Sequence, residues 1–247
     1  ARDCDDIVLC VAADADVLAV VDALLPGLRA GALVIDCSTV SADTAREAAR
    51  RLAARGGEFL DAPVSGGVEG ARDGTLAIMA GGTESAFARA QPVLQAMGRT
   101  VTHFGPSGSG QAAKATNQIM CAGVIQAVAE AMAFAKSQGL PLPQLLEPLG
   151  KGAGSSWYFV NRASNVVRDE FPAGFRVRLH EKDLQICRDM AAQFGVELPV
   201  VEATLAQYEE LIARGHGDED ISVLFRLKDA LFAAAAAQSG GKPPQPA

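Results

Sequence analysis

The sequence predicts an open, parallel α/β sheet covered by helices, followed by an all-helical domain. From residue 6 to residue 104, short apolar runs alternate with stretches of helical periodicity, and the connections between them are short. Such alternation is typical of parallel strands joined by helical crossovers. Over residues 109–236 the pattern is helical only. We therefore expect two domains, residues 1–106 and 107–239, and a disordered tail rich in proline and glycine over residues 240–247.

Apolar runs rich in β-branched residues mark the strands of the sheet, because such residues fit a buried, pleated surface. The predicted strands are residues 6–12, 32–36, 58–62, 75–80 and 100–104. Helical periodicity fills the intervals, and the predicted helices are residues 17–28, 41–55 and 83–97. Ser41 and Thr83 stand at the starts of two of them, where a hydroxyl can cap the first backbone N–H groups.

A glycine-rich turn at Gly108 leads into the longest predicted helix, residues 109–138. A helix of this size spans roughly 45 Å, which is more than a single small domain needs. We therefore expect it to run as a spine between the two domains. The helices predicted after it are residues 142–149, 155–168, 181–194, 198–213 and 219–236.

Three polar residues of the long helix form a candidate catalytic group. Lys114, Asn117 and Gln118 are spaced i, i+3 and i+4, so they lie on one face of the first turns. A primary amine beside two amides suits a substrate that carries a carbonyl group. A solvated lysine on a helix face explains the same spacing equally well, so the spacing alone leaves both interpretations open.

Composition and charge argue against several classes of function. The net charge of −7 at pH 7 argues against a nucleic-acid partner, which requires a basic surface. No membrane segment is expected, because the best apolar candidate, residues 119–135, is interrupted by Gln126 and Glu130. No basic and then apolar leader opens the sequence, so secretion is not expected either.

The cysteines and histidines predict a reducing compartment and no metal. The 5 cysteines are odd in number and scattered, and no Cys-x-x-Cys occurs, so we expect reduced thiols in the cytoplasm. The 3 histidines are far apart and have no zinc-binding spacing.

The start of the sequence lacks a feature that a dinucleotide-binding sheet normally has. Such a domain opens with a strand, a Gly-x-Gly-x-x-Gly turn and a helix, and an acidic residue follows about 20 positions later. The first strand that we can identify, residues 6–12, already resembles a later strand of such a sheet. We therefore expect that the first βαβ unit, of at least ~30 residues, is missing from this sequence.

Four motifs together resemble the β-hydroxyacid dehydrogenase family, which includes 3-hydroxyisobutyrate dehydrogenase and tartronate semialdehyde reductase. They occur in the family's order, and they are Asp36–Thr39 (DCST), Asp61–Gly67 (DAPVSGG), Gly108–Gln118 (GSGQAAKATNQ) and Lys182–Leu184 (KDL). The resemblance implies an N-terminal Rossmann domain, an all-helical C-terminal domain and NAD or NADP as the hydride carrier. It also implies a small 3-hydroxy acid or semialdehyde as substrate and association into a homo-oligomer, a dimer or a tetramer.

Two of these motifs follow strands and have a physical interpretation of their own. In Ser65-Gly66-Gly67, the glycines let successive backbone N–H groups converge on an anion. The resemblance assigns this turn to the substrate carboxylate, whereas an ordinary tight turn is the alternative. Thr39 follows a strand at the edge where open α/β sheets bind ligands. The resemblance places it at the nicotinamide, and a helix-capping hydroxyl is its other explanation.

The resemblance implies further contacts with the cofactor and with the substrate. Val11 and Ala12 occupy the place where the family often has Leu-Pro, whose backbone touches the cofactor, although the proline is absent here. Asp16 matches another position near the cofactor. Lys182 corresponds to a second lysine near the nicotinamide, and a solvated charged helix start is its alternative.

Two aromatic residues of the helical domain are candidates for covering the substrate. Trp157 lies in the aromatic segment 155–159, and Phe175 precedes the Lys-Asp motif. In the family, side chains of this region cover the substrate. A role in core packing is at least as good an explanation for the 155–159 segment.

Lys114 is the residue to which the resemblance assigns the chemistry. Reduction of an aldehyde by hydride leaves an alkoxide, which needs a proton. A cationic amine can polarise the carbonyl and then deliver that proton, and a neutral amine can accept it in the oxidative direction. Asn117 and Gln118 correspond to the family's pair of amides, which is often Asn-Asn.

Related proteins and non-enzymatic forms of the same fold are the competing interpretations. 6-Phosphogluconate dehydrogenase has a histidine between the lysine and the asparagine, where Asn117 stands here, and imine reductases replace the lysine, whereas Lys114 is present. A non-catalytic module of the same fold, which binds the cofactor or associates with nucleosomes, loses the lysine and adds basic segments, unlike this chain. An inert fragment of the fold is the last alternative.

Overall fold

The computed structural model describes residues 1–238, so the predicted disordered tail lies outside the described residues. The chain forms two compact units. Unit 1 contains Ala1–Asn117 and the short segment Ala192–Phe194, and unit 2 contains Gln118–Ala191 and the chain from Gly195 onward.

Three parallel strands form one half of the sheet in unit 1. Strands β1 (Asp6–Leu9), β2 (Leu33–Asp36) and β3 (Glu58–Asp61) lie side by side in that order. Leu9 pairs with Asp36, and Asp36 pairs with Asp61, so the three strands end at the same level. The segments that follow them therefore leave the sheet at one edge.

The other half of the sheet changes direction, so the sheet is mixed rather than purely parallel. Strands β3 and β4 (Val64–Ser65) both pair antiparallel with β5 (Leu76–Gly82), and β6 (Gly98–His103) pairs parallel with β5. Only residues 66–75, which include the short helix α3 (Gly67–Asp73), connect β4 to β5. A parallel crossover needs a dozen or more residues, so this short connection returns antiparallel. Neither β4 nor α3 was predicted from the sequence.

Apolar clusters cover both faces of the sheet. The core residues of α1 (Asp14–Leu24) and α2 (Ala42–Ala53) pack with Val34 on one face, and those of α4 (Glu84–Met97) pack with Ile35 on the other. A 3₁₀ turn, Leu25–Gly27, ends the first of these helices. Ser41 and Thr83 cap α2 and α4 as predicted, since each hydroxyl accepts a backbone N–H at 3.1 Å.

Helices alone follow the sheet within the described part of the chain. Helix α5 spans Ser109–Ser137, close to its predicted limits. The helices after it are α6 (Leu142–Gly150), α7 (Trp157–Arg168), α8 (Val177–Ala192), α9 (Pro199–Ala213) and α10 (Leu224–Gln238), and a 3₁₀ turn, Ile221–Val223, precedes the last. Their buried side chains form one core around residues such as Met132, Tyr208 and Leu224. The predicted fold class, a Rossmann-type sheet followed by an all-helical domain, is thus confirmed.

Helix α5 is long and apolar enough to cross a membrane, which corrects the expectation that no segment reaches this length. The two residues expected to interrupt it, Gln126 and Glu130, carry one charge between them. Both have polar partners in unit 2, because Gln126 donates to Thr204 and Glu130 accepts from Lys228. A core helix passes the same test of length and composition, so the test does not assign α5 to a membrane.

Candidate active site

The predicted site residues of unit 1 lie on segments that leave one edge of the sheet. Val11 and Ala12 follow β1, Thr39 follows β2, and Ser65 lies just beyond β3. Ligands of open α/β folds bind at the carboxyl ends of such strands. The paired ends of the three strands therefore bring the segments with Val11, Ala12 and Thr39 to a common edge, whereas Ser65 lies in β4.

The segments after β1 and β2 are joined through Ser38. The hydroxyl of Ser38 accepts the backbone N–H of Val11 at 2.8 Å, and the backbone N–H of Ser38 donates to Oδ1 of Asp36 at 3.0 Å. Thr39 is half-buried, whereas Ala12 and Asp16 are exposed. A hydrogen-bonded frame therefore holds the backbone around Thr39.

The Ser65-Gly66-Gly67 turn requires its glycines. Gly66 has φ = 136° and Gly67 has φ = 66°, which are conformations that residues with a side chain rarely adopt. A Cβ added to Gly66 would also lie 3.2 Å from a side-chain carbon of Leu76. Ser65 is contacted by α5, because the Nδ2 group of Asn117 donates to its hydroxyl at 3.4 Å. The structure thus brings Ser65 and Asn117 together.

Asp61 anchors the first turn of α5 to the sheet. Its carboxylate accepts the backbone N–H groups of Gly108 at 2.8 Å and of Gln111 at 3.0 Å. Burial raises the pKa of Asp61 from 3.8 to about 6, against the opposing effect of these N–H bonds. The contact is so close that a Cβ added to Gly81 would lie 2.6 Å from the backbone nitrogen of Gly110. Neither Asp61 nor its role was singled out from the sequence.

Lys114 lies on the same face of α5 as Gln111 and Asn117, one turn from each. Its exposure is only 6%, so it is not the solvated surface lysine that was the alternative explanation. Gln111 bonds to the segment that carries Thr39, and Asn117 bonds to Ser65. Along α5, Lys114 therefore lies between the two residues that bond to predicted binding segments of unit 1.

Gln118 and Lys182 are joined by one carboxylate in unit 2. The Nε2 group of Gln118 donates to Oδ2 of Asp183 at 2.8 Å, and Nζ of Lys182 lies 3.1 Å from Oδ1 of the same residue. Helix α8 begins at Val177 rather than near residue 181, so Lys182 lies inside the helix and not at its start. Asp183 was missed as a functional candidate, although it stands in the Lys-Asp motif.

The two aromatic candidates of unit 2 have different surroundings. Phe175 is half-buried, and its ring centroid lies 5.2 Å from that of the buried His180. His180 in turn bonds to the hydroxyl of Tyr208 at 2.9 Å. Trp157 is 55% exposed, and the guanidinium of Arg162 lies 5.4 Å from its ring. Trp157 is thus not a core residue.

No group of three or more histidine, cysteine, aspartate or glutamate residues within residues 1–238 could hold a metal ion. All 5 cysteines are reduced thiols. Within unit 1, hydroxyls and backbone groups lie on the segments that follow parallel strands, and Asp61 bonds the first turn of α5 to the end of β3. Open α/β sheets with this arrangement are typical of enzymes that bind a dinucleotide cofactor at the carboxyl ends of the strands.

Comparison with known proteins identifies the family. A family profile described as the NAD binding domain of 6-phosphogluconate dehydrogenase matches residues 1–105. A second profile, described as NAD-binding of NADP-dependent 3-hydroxyisobutyrate dehydrogenase, matches residues 108–228. The chain is 42% identical to the 3-hydroxyisobutyrate dehydrogenase of Pseudomonas aeruginosa over 83% of its own length and 72% of the relative's.

Two further relatives agree with this result. The NAD-dependent L-serine dehydrogenase of Pseudomonas aeruginosa is 35% identical over 84% of this chain and 72% of its own length. The crystal structure of 3-hydroxyisobutyrate dehydrogenase from Salmonella typhimurium has a TM-score of 0.83 and 35% identity, over 90% of this chain and 79% of that one. The chain belongs to the β-hydroxyacid dehydrogenase family. Its class is that of the NAD(P)-dependent 3-hydroxyacid dehydrogenases, whose cofactor is NAD or NADP.

The edge formed by β1 and β2 fits such a cofactor. Ala12 is small and exposed, and Ala13 places no polar side chain over the first turn of α1. Thr39 offers a half-buried hydroxyl at the same edge. Val11, Ala12 and Thr39 are therefore the residues of unit 1 that would hold part of the dinucleotide, together with the exposed Asp16.

Proposed function

We propose that this protein interconverts a small 3-hydroxy acid and its semialdehyde with NAD or NADP, and that Lys114 is the general acid and base. One observation carries this proposal. Lys114 is buried on the face of α5 whose neighbours, one turn away on each side, bond to the Thr39 segment and to the Ser65 turn. Along the helix, Lys114 thus lies between the residue that bonds to the predicted cofactor segment and the residue that bonds to the predicted carboxylate turn.

Oxidation of an alcohol removes a hydride from carbon and a proton from oxygen. NAD or NADP, when bound, supplies the acceptor for the hydride. The neutral amine of Lys114 accepts the hydroxyl proton, and in the reverse direction its ammonium form polarises the carbonyl and returns the proton. A lysine suits both directions because its amine exists in a charged and a neutral form, unlike an arginine.

The Ser65-Gly66-Gly67 turn is our candidate for binding the substrate carboxylate. The positive φ angles of the two glycines turn the backbone tightly, and such turns can direct N–H groups towards an anion. The hydroxyl of Ser65 adds a donor, and Asn117 holds that hydroxyl from α5. This arrangement favours a substrate whose carboxylate lies close to the reacting carbon.

The candidates of unit 2 keep the roles that the resemblance implies. Gln118 and Lys182 are held as a pair by Asp183, which supports them as polar groups for substrate or cofactor. Phe175 and Trp157 are assigned to apolar contacts with the bound molecules. We also retain residues 1–106 and 107–239 as the domain limits.

The named relatives narrow the substrate class. 3-Hydroxyisobutyrate and L-serine both carry a carboxylate, and in both the hydroxyl is on the carbon β to it. We expect this chain to accept such acids and to reject their methyl esters, because an ester loses the charge that the Ser65 turn would bind. The test measures turnover with each acid and its ester, with NAD and with NADP. Binding of cofactor without turnover of any acid would refute the proposed dehydrogenase activity and support a non-catalytic, cofactor-binding module.

We further propose a cytoplasmic homo-oligomer, a dimer or a tetramer, without nucleic-acid or membrane partners. Exposed apolar side chains on α5 and α10, Phe134, Leu231 and Phe232, support a protein interface. The rings of Phe134 and Phe232 contact each other edge to face, at 6.4 Å. Light scattering at micromolar concentration tests this proposal, and a monomer would contradict it.

A further inference from the structure

We propose that Gln111 is a positioning residue that fixes Thr39 relative to the helix of Lys114. This inference rests on the proposed function, in which Thr39 faces the nicotinamide and Lys114 handles the proton. Gln111 was not among the predicted site residues. Its side chain is not expected to touch substrate or cofactor, so it would act only through the residues that it holds.

The carboxamide of Gln111 makes two hydrogen bonds that bracket Thr39. Its Nε2 group donates to the backbone oxygen of Ser38 at 2.9 Å. Its Oε1 atom accepts the backbone N–H of Val40 at 3.2 Å. One side chain thus binds the residue before Thr39 and the residue after it, as the backbone of a neighbouring strand would do.

The two hydrogen bonds from Gln111 to Ser38 and Val40 form a clamp around Thr39. Because they are buried, they are costly to break. Gln111 is 1% exposed, and both of its bonds to the segment are buried. A buried donor or acceptor that loses its partner loses far more than an exposed one, because water cannot replace the bond. The clamp therefore restrains the backbone on both sides of Thr39.

The other end of the clamp is fixed to the sheet. The backbone N–H of Gln111 donates to Oδ2 of Asp61, at the end of β3, at 3.0 Å. Lys114 follows one turn later on the same face of α5. A chain of bonds thus runs from β3 through Gln111 to the Thr39 segment, and Lys114 is carried by the same helical turn.

Only glutamine satisfies both bonds at this reach. A glutamate at this position could accept from Val40, but its carboxylate would face the backbone oxygen of Ser38 with no proton to donate. A methionine has nearly the same length and neither polar group. An asparagine keeps both groups but is one methylene shorter.

Loss of the clamp should weaken binding of the cofactor rather than binding of the substrate carboxylate. Loss of the Gln111 bonds frees the N–H of Val40 and the carbonyl of Ser38, while Ser38 keeps its bonds to Val11 and Asp36. The backbone at Thr39 then becomes less restrained, so cofactor affinity should fall. The Ser65 turn is held by Asn117 instead, so the KM of the hydroxy acid should change little. This separation is what distinguishes positioning of Thr39 from a general loss of structure.

The experiment compares Gln111→Met and Gln111→Glu with the matched control Gln126→Met in the full chain. Gln126 lies on the same helix and its carboxamide also makes two bonds, to Thr204 and Gln207 at 3.1 and 3.0 Å. Two readouts do not depend on catalysis. They are hydrogen exchange of the Val40 amide and the Kd of NADH or NADPH measured by fluorescence.

We expect Gln111→Met to raise the exchange rate of the Val40 amide about tenfold or more and to weaken cofactor binding by about tenfold. Gln111→Glu should weaken it further, because its carboxylate faces a carbonyl oxygen. Gln126→Met should leave both readouts at the wild-type values. If Gln111→Met does not fold, Gln111→Asn provides a milder break, and it should shift both readouts in the same direction.

Wild-type exchange and wild-type cofactor affinity in folded Gln111→Met would overturn the clamp. Equal losses in the Gln126→Met control would overturn it as well, because the effect would then be one of general stability. Failure of the proposed function looks different. In that case the wild type turns over no hydroxy acid, whereas exchange at Val40 and cofactor affinity still respond to Gln111.

Discussion

The two units hold their functional candidates in different ways. In unit 1 the bonds at the start of α5 and around Thr39 end on backbone groups, since Asp61 accepts the N–H of Gly108 and Gln111, and the Gln111 side chain binds Ser38 and Val40. Asn117 and Ser65, also in unit 1, bond through their side chains. In unit 2 the side chains of Gln118 and Lys182 bond to another side chain. Asp183 holds Gln118 and Lys182 there, and His180 bonds to Tyr208.

This difference predicts which substitutions preserve the geometry of the candidate residues and which disturb it. Backbone-directed bonds fix the positions of Thr39 and of the first turn of α5, which precedes Lys114, so a substitution of Thr39 or Lys114 should remove a chemical group and leave the geometry in place. Bonds between side chains depend on the identity of both partners. A substitution at Asp183 should therefore disturb two candidates at once.

The largest effect on stability is expected where α5 meets the sheet. A Cβ at Gly110 would overlap the backbone oxygen of Met79 and lie 2.8 Å from that of Asp61. Gly110→Ala should therefore lower the free energy of unfolding by about 3 kcal/mol or more. Urea denaturation measures it, and Gly154→Ala, with nothing within 4 Å of the added carbon, is the control. Equal midpoints for the two variants would refute this close contact.

The pH dependence of stability should report on Asp61. Its pKa in the folded protein, about 6, lies above its ordinary value of 3.8, so the folded state holds the proton more tightly. Stability from this group is complete below pH 3.8 and is lost as the pH rises through 6. The difference in the free energy of unfolding between wild type and Asp61→Asn should therefore fall by about 2 kcal/mol between pH 4 and pH 7.

Denaturation of wild type and of Asp61→Asn across this pH range measures the difference in their free energies of unfolding. The difference between them matters, because other carboxylates titrate in both and cancel. A difference that stays constant, or that grows as the pH rises, would show that burial does not raise the pKa of Asp61. The bonds from α5 would then dominate instead.

Loss of the carboxylate in unit 2 should have a smaller effect. Asp183→Asn keeps the size of the side chain but removes the charge near Lys182 and weakens the acceptor for Gln118. We expect a loss of about 1–3 kcal/mol in the free energy of unfolding. A double-mutant cycle with Gln118→Met should show coupling between the two residues. Additive losses would mean that the bond contributes nothing.

The smallest effect is expected at the Ser65 turn, and on binding only. Ser65→Ala removes one donor to the carboxylate, so KM should rise while kcat changes only modestly. The lost hydrogen bond corresponds to about 1–3 kcal/mol of binding free energy if the site excludes water. Gly66→Val should do more, because Gly66 has φ = 136°. Steady-state kinetics with a 3-hydroxy acid tests both variants, and wild-type kinetics for both would reject this turn as the carboxylate site.

Much of the fold could be predicted because it follows from local patterns. Apolar runs located β1, β2 and β3, and the capping residues Ser41 and Thr83 located the starts of two helices. The start of α8 was missed because distant backbone supplies its first hydrogen bonds. The N–H groups of Val177 and Arg178 donate to the backbone oxygens of Glu219 and Gly217. No local pattern reveals such partners.

The site was predictable only in part, for the same reason. Motifs identified Lys114 and Ser65, but Gln111 and its partners Ser38 and Val40 are 73 and 71 residues apart in the sequence. The fold alone decides that they meet. The change of direction at β5 is also a property of the connection between strands, whereas its apolar run fits either direction.

The central claim is that Lys114 moves the proton. The most direct test is kcat for alcohol oxidation against pH, with wild type, Lys114→Ala and Lys114→Arg, while fluorescence follows cofactor binding. Lys136→Ala is the control, because Lys136 lies on the same helix in an exposed ion pair with Asp229.

Wild-type kcat should rise with pH as the amine becomes neutral, while cofactor affinity stays nearly flat. Lys114→Ala should still bind cofactor and lose ~10²–10⁴-fold in kcat. Lys114→Arg should not restore it, since a guanidinium stays protonated and cannot act as base. Lys136→Ala should behave as wild type. Turnover of Lys114→Ala within about threefold of wild type, far less than the loss expected of a general base, would contradict the account.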